Sequence, residues 1–80
     1  MYPEELKKLI EAAFAECHVE VTGDGRHFSA VVVSDAFTGK NLIARHRLVY
    51  AAFGRRFDTE AVHALSLKTY TPEQWQALQA

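Results

Sequence analysis

Five side chains in this 80-residue sequence carry soft-metal or nucleophile chemistry: Cys17, His18, His27, His46 and His63. A structural zinc site draws four ligands from closely spaced pairs, and the sequence has no CxxC or HxxxH pair, so a self-contained zinc centre is not expected. A cysteine nucleophile needs a base and a group that orients the base. No such third group is suggested, and Cys17 falls on the apolar stripe of a helix, where a lone cysteine behaves as a small hydrophobe. No enzymatic activity is expected.

His63 opens a stretch, Ala61 to Trp75, that holds a strand and the start of a helix. Between Val62 and Lys68 the residues alternate, with His63, Leu65 and Leu67 on the more apolar face and Val62, Ala64, Ser66 and Lys68 on the other. At this stage His63 reads equally as a ligand and as a strand-edge histidine bonded to a backbone carbonyl. His27 follows Gly23 and Gly25 at the trailing edge of a turn, where it reads as a loop residue open to solvent. His46 shares a helical stripe with Leu42, Val49 and Tyr50 and is expected to pack its ring on the core. His18 alternates with Val19 and is expected on solvent or on the other face of the sheet.

The elements that must position these residues follow from periodicity. Pro3 to Cys17 predicts the first helix, with Leu6, Leu9, Ile10, Ala13, Phe14 and Cys17 at three- and four-residue spacing and acids in the first turn. Val19 and Val21, the turn Thr22 to Gly25, and Phe28 to Val33 predict a hairpin. Ser34 to Asn41 is a connection with Phe37 turned inward and Thr38 or Asn41 available as a cap. Leu42, His46, Val49, Tyr50 and Phe53 predict a second helix that Gly54 stops in a left-handed conformation. Arg55 to Glu60 is read as a short helical turn. Thr71, Pro72 and Gln74 supply an N-cap, a first-position proline and a capping-box partner for a last helix that carries Trp75 and Leu78.

Length allows one domain, residues 1–80, with one sheet and a few helices. At 49% hydrophobic and 24% charged residues the composition is that of a globular chain. No apolar run reaches the roughly 20 residues of a membrane span, and MYPEELKK is too polar for a signal peptide. A single cysteine agrees with a reducing compartment, and the cytoplasm is the expected location. Charge is unevenly spread. Lys40, Arg45, Arg47, Arg55 and Arg56 lie with no acid between Ala36 and Phe57, which gives that segment +5 and leaves −6 on the rest, against a total of −1. Such a face, over the basic helix 41–56, suits DNA phosphates, an acidic protein or plain solvent. No GxxG loop and no exposed aromatic triplet adds an RNA signature.

The segments HVEVTGDGRHF, LIARHRLVYAAF and VHALSLKTYTPEQW together resemble the BolA family, and the resemblance runs from about Leu6 to Trp75. The TGDGRHF loop is similar to the short-loop, acid-stress-linked branch. The resemblance implies an α+β domain of αββααβα order with a three-stranded mixed sheet like that of class II KH domains. It implies a partner, a monothiol glutaredoxin of the CGFS type, that shares a bridging [2Fe–2S] cluster. In such a complex the glutaredoxin cysteine and glutathione hold one iron. The BolA-like chain supplies a histidine near the start of the last strand and a second ligand from the loop between the first two strands, which here are His63 and His27. The family is also described as DNA-binding transcriptional regulators, a role that would rest on Lys40, Arg45, Arg47, Arg55 and Arg56. The loop offers no cysteine, so Cys17 takes no ligand role, and a homodimer of the free chain stays open.

Overall fold

The structure is a computed structural model that describes residues 2–24, 26–54 and 65–80. Helix α1 (Pro3–Ala13) leads into strand β1 (Cys17–Gly23), strand β2 (Phe28–Ser34) and a 3-10 turn (Asp35–Phe37). Helix α2 (Leu42–Phe53), strand β3 (Leu65–Tyr70) and helix α3 (Pro72–Gln79) follow. The fold is α+β, with a mixed sheet in the order β1-β2-β3 in which β1 and β2 are antiparallel and β2 and β3 parallel. The short helical turn expected over Arg55–Glu60 and the strand positions Val62 to Ala64 lie outside the described residues.

Two helices cover one face of the sheet. Val19, Val32 and Thr69 form one inward row across the three strands, with Val21, Ala30 and Leu67 beside it. Leu6 and Ile10 of α1 and Val49 and Phe53 of α2 are fully or almost fully buried against these rows. Burial of that apolar area is the main force that holds the layers together. Phe37 fills the space where the chain enters α2; it is 0% exposed and meets Phe14 edge to face at 5.5 Å.

Local signals account for the element ends. Asn41 caps α2 by accepting a hydrogen bond from the Ala44 amide at 2.9 Å, and Gly54 ends it at a φ of 56°, a value that favours glycine. Thr71 and Gln74 form the expected capping box, with Gln74 N–H donating to Thr71 Oγ1 (3.2 Å) and Thr71 N–H to Gln74 Oε1 (2.9 Å). α3 buries none of its residues completely. Its Trp75 lies over the outward row of the sheet, with ring centroids 5.6 Å from Tyr70 and 5.4 Å from His18.

Several expectations are corrected. α1 stops at Ala13, four residues short of Cys17, because Phe14 is already extended (φ −124°, ψ 127°) and turns its ring toward Phe37. Cys17 is the first residue of β1, paired with Ser34, and not part of a helical stripe. The buried line of α2 is Arg45, Val49 and Phe53, whereas Leu42 is 63% exposed. His46 is only half-buried, its ring edge-on to Tyr50 at 6.4 Å. β3 runs past the alternation read between Val62 and Lys68, to Tyr70, where its register with Val33 of β2 still holds.

Candidate metal centre and basic face

The β1–β2 turn presents His27 through its backbone. Asp24 Oδ1 accepts hydrogen bonds from the amides of Arg26 and His27, both at 2.8 Å, and the Asp24 amide donates to the His27 carbonyl at 3.2 Å. Both backbone polar groups of His27 therefore end on Asp24, an Asx-type turn that leaves the side chain unconstrained by them. The imidazole is exposed and has no hydrogen-bond or ion-pair partner among the described residues. The His27 and Arg26 amides and, to a lesser degree, the charge of the His27 imidazole favour the charged carboxylate and hold Asp24 below the usual carboxylate range. Gly23 seals the turn from the other side. A Cβ on it would lie 2.6 Å from Phe28 Cδ1 and 2.8 Å from the His27 carbonyl oxygen, so only glycine lets these groups approach.

His27 thus offers one free imidazole at the hairpin end of the sheet, and its donor chemistry fits one coordination position on a borderline-soft iron. Among the described residues no group of three or more histidine, cysteine or acidic side chains is arranged to hold a metal ion. His63 lies outside the described residues, two positions ahead of Leu65 in the sequence. Cys17 supplies no further ligand. Burial, and after it the charge of Glu11, pushes its thiol up from the ordinary value, and its Sγ lies 3.8 Å from the Phe14 carbonyl oxygen. A thiol kept protonated in this way is a poor nucleophile.

The basic segment divides. Arg45, expected on a contact surface, is instead buried at 9% exposure. Its Nε donates to the Lys40 carbonyl (2.8 Å) and its Nη1 to Gln74 Oε1 (2.9 Å) and, at 3.4 Å, to the Thr69 carbonyl, while Phe37 lies under its Cζ at 6.0 Å. The residue joins α2, β3 and α3, so it is withdrawn from phosphate or partner contact. Lys40 and Arg47 are exposed. Arg55 and Arg56 lie outside the described residues.

Asp24 and Gln74 were not read from the sequence as functional or structural partners of these groups. Asp24 carried a usable signal, an Asp-Gly pair three residues before His27. The His18–Glu20 ion pair at 2.6 Å was also missed, although residues two apart on a strand share a face.

Among the described residues of this small α+β scaffold, the candidate groups lie apart, with His27 at a pinned hairpin, Lys40 exposed just before α2 and Arg47 exposed on it. The chain belongs to the family of BolA-like proteins, whose sequence profile matches residues 3–74. It is 37% identical over an 89-residue alignment to the DNA-binding transcriptional regulator BolA of Escherichia coli K12, covering 99% of this chain and 84% of that protein. Against the acid stress protein IbaG of the same organism it is 31% identical over 71 residues, 89% of this chain and 84% of the relative. The structure of a bolA protein homologue from Coxiella burnetii superposes with a TM-score of 0.82 at 43% identity, covering 95% of this chain and 97% of that one. Relatives carrying both names match, the regulator at the higher identity, so the TGDGRHF loop does not by itself assign the whole chain to the acid-stress branch. These two relatives are named as a regulator and a stress protein, not as enzymes. No helix among the described residues is long and apolar enough to cross a membrane.

Proposed function

We propose that this chain is a non-enzymatic iron–sulfur accessory protein that partners a monothiol glutaredoxin of the CGFS type in the cytoplasm and shares with it, and with glutathione, a bridging [2Fe–2S] cluster. The observation that supports this is the state of His27, whose backbone is tied to Asp24 while its imidazole is exposed and makes no hydrogen bond among the described residues. His63 is the second ligand in this reading. Leu65, two residues after it, is paired with Phe28, the residue after His27. Bound through two imidazoles on one iron, such a cluster resembles a Rieske centre, whose ligation depends on histidine staying deprotonated. Two ligands bind a cluster weakly, which explains why the partner completes the coordination and why this chain needs no enclosed site.

The test mixes the purified chain with a CGFS glutaredoxin, glutathione, iron and sulfide and records visible circular dichroism. A spectrum distinct from that of the glutaredoxin alone is expected, lost in His63→Ala and weakened or lost in His27→Ala. Wild-type spectra in both variants would overturn the reading.

One observation favours a second reading, binding to DNA. A relative covering nearly all of this chain is named a DNA-binding transcriptional regulator, and Lys40 and Arg47 are exposed here. Phosphate contacts by Lys40, Arg47, Arg55 and Arg56 would make affinity fall steeply with salt. If alanine at these four positions leaves DNA binding and its salt slope unchanged, this reading fails.

A further inference from the structure

The residue removed from the basic face points to a different site. Arg45 is nine-tenths buried, yet its acceptors are two backbone carbonyls and one amide oxygen, all uncharged. The one ion pair among the described residues is His18–Glu20, so no carboxylate among them neutralises the guanidinium. A buried charge is ordinarily paired with an opposite one. Its second terminal nitrogen, Nη2, has no acceptor among the described residues.

Arg45 lines a groove of about 440 Å³ between the first turn of α2, the end of β3 and α3, together with Leu42, Thr69, Tyr70, Gln74, Ala77 and Leu78. The walls are largely apolar, and Leu42 and Leu78 stand 63% and 60% exposed on the two helices. Thr69, whose Oγ1 is buried without a hydrogen-bond partner among the described residues, lies next to the guanidinium. The volume falls in the range of sites for a single small ligand. A lone cation lines the groove, which suits one negative charge and not a multiply charged phosphate.

We propose that this groove binds a small monocarboxylate with an apolar body. The carboxylate accepts from Nη2 of Arg45, and the alkyl or aryl body lies between Leu42 and Leu78. Every group in this site belongs to the far end of the sheet from the hairpin, so the assignment stands independently of any cluster chemistry at His27.

The test is a titration of the full 15N-labelled chain with 4-phenylbutyrate and, separately, with the uncharged 4-phenylbutan-1-ol, followed by amide chemical shifts. Saturable shifts are expected at Leu42, Thr69, Tyr70 and Leu78 with a Kd of about 1 mM or tighter for the acid, and binding about ten-fold weaker for the alcohol. Leu78→Glu and Leu42→Glu change exposed rim positions and place a like charge beside the ligand, and each should abolish the shifts while leaving the spectrum of the core unchanged. Absence of saturable shifts, equal binding of acid and alcohol, or unimpaired binding by both glutamate variants would overturn the proposal.

Discussion

The two ends of the sheet use hydrogen bonds in opposite ways. At the hairpin end one carboxylate, Asp24, takes the backbone amides of Arg26 and His27 and leaves the His27 side chain in solvent. At the other end the side chains themselves are consumed, as Arg45, Gln74 and Thr71 join α2, β3 and α3 in one connected set. The first arrangement fixes a position and frees a functional group. The second fixes the packing of three elements and withdraws a cation from the surface. His27 and Arg45, each beside other polar residues in the sequence, therefore end in different settings, the first with its side chain in solvent and the second with its side chain bonded into three elements.

The comparison breaks most visibly at Arg45. Arg45→Ala leaves the Lys40 carbonyl and Gln74 Oε1 without their donor and opens the contact with Phe37, and it should destabilise the chain by about 3 kcal/mol in urea denaturation. Arg47→Ala, two residues away but exposed, should stay within about 0.5 kcal/mol. Equal losses for the two would mean that the network at the far end holds nothing together. At the hairpin end the larger effect belongs to Gly23. Gly23→Ala forces its Cβ against the Phe28 ring and the His27 carbonyl, and the strain should cost about 2 kcal/mol in the same measurement and move the His27 amide resonance.

What could be read from the sequence follows the range over which each signal acts. The capping box at Thr71–Gln74 and the strand alternation from Leu65 onward are local, and both stand as expected. The hairpin stands too, but its turn begins two residues later than the Thr22–Gly25 reading, since Thr22 and Gly23 still pair with Ser29 and Phe28. Periodicity failed where two elements bury residues in succession, because Phe14 and Cys17 continue the spacing of α1 while belonging to an extended segment and to β1. It failed at α2 for a related reason. An arginine counts as polar in any pattern, so the inward line is drawn through Leu42, when the capped first turn actually brings Arg45 over Phe37 and toward Gln74, 29 residues further on. Contacts at that separation have no periodic signature. The position of His27 was legible, but the reason it is held there was not, since that depends on two hydrogen bonds to one carboxylate oxygen.

The smallest effect is the sharpest test of the hairpin's half of the comparison. Asp24→Ala removes the acceptor for two exposed amides and touches no core residue, so the melting temperature should move by no more than about 2 °C. Hydrogen exchange should nevertheless accelerate at Arg26 and His27 and nowhere in β3. Acid should reproduce the substitution. Because the folded turn lowers the Asp24 pKa, its contribution is present above the ordinary carboxylate range and is lost as pH falls through the lowered value, with protection of the two amides falling in the same interval. Protection that is insensitive both to acid and to Asp24→Ala would show that the turn is held by Gly23 and the strand pairing alone. His27 would then owe its position to the sheet and not to the carboxylate.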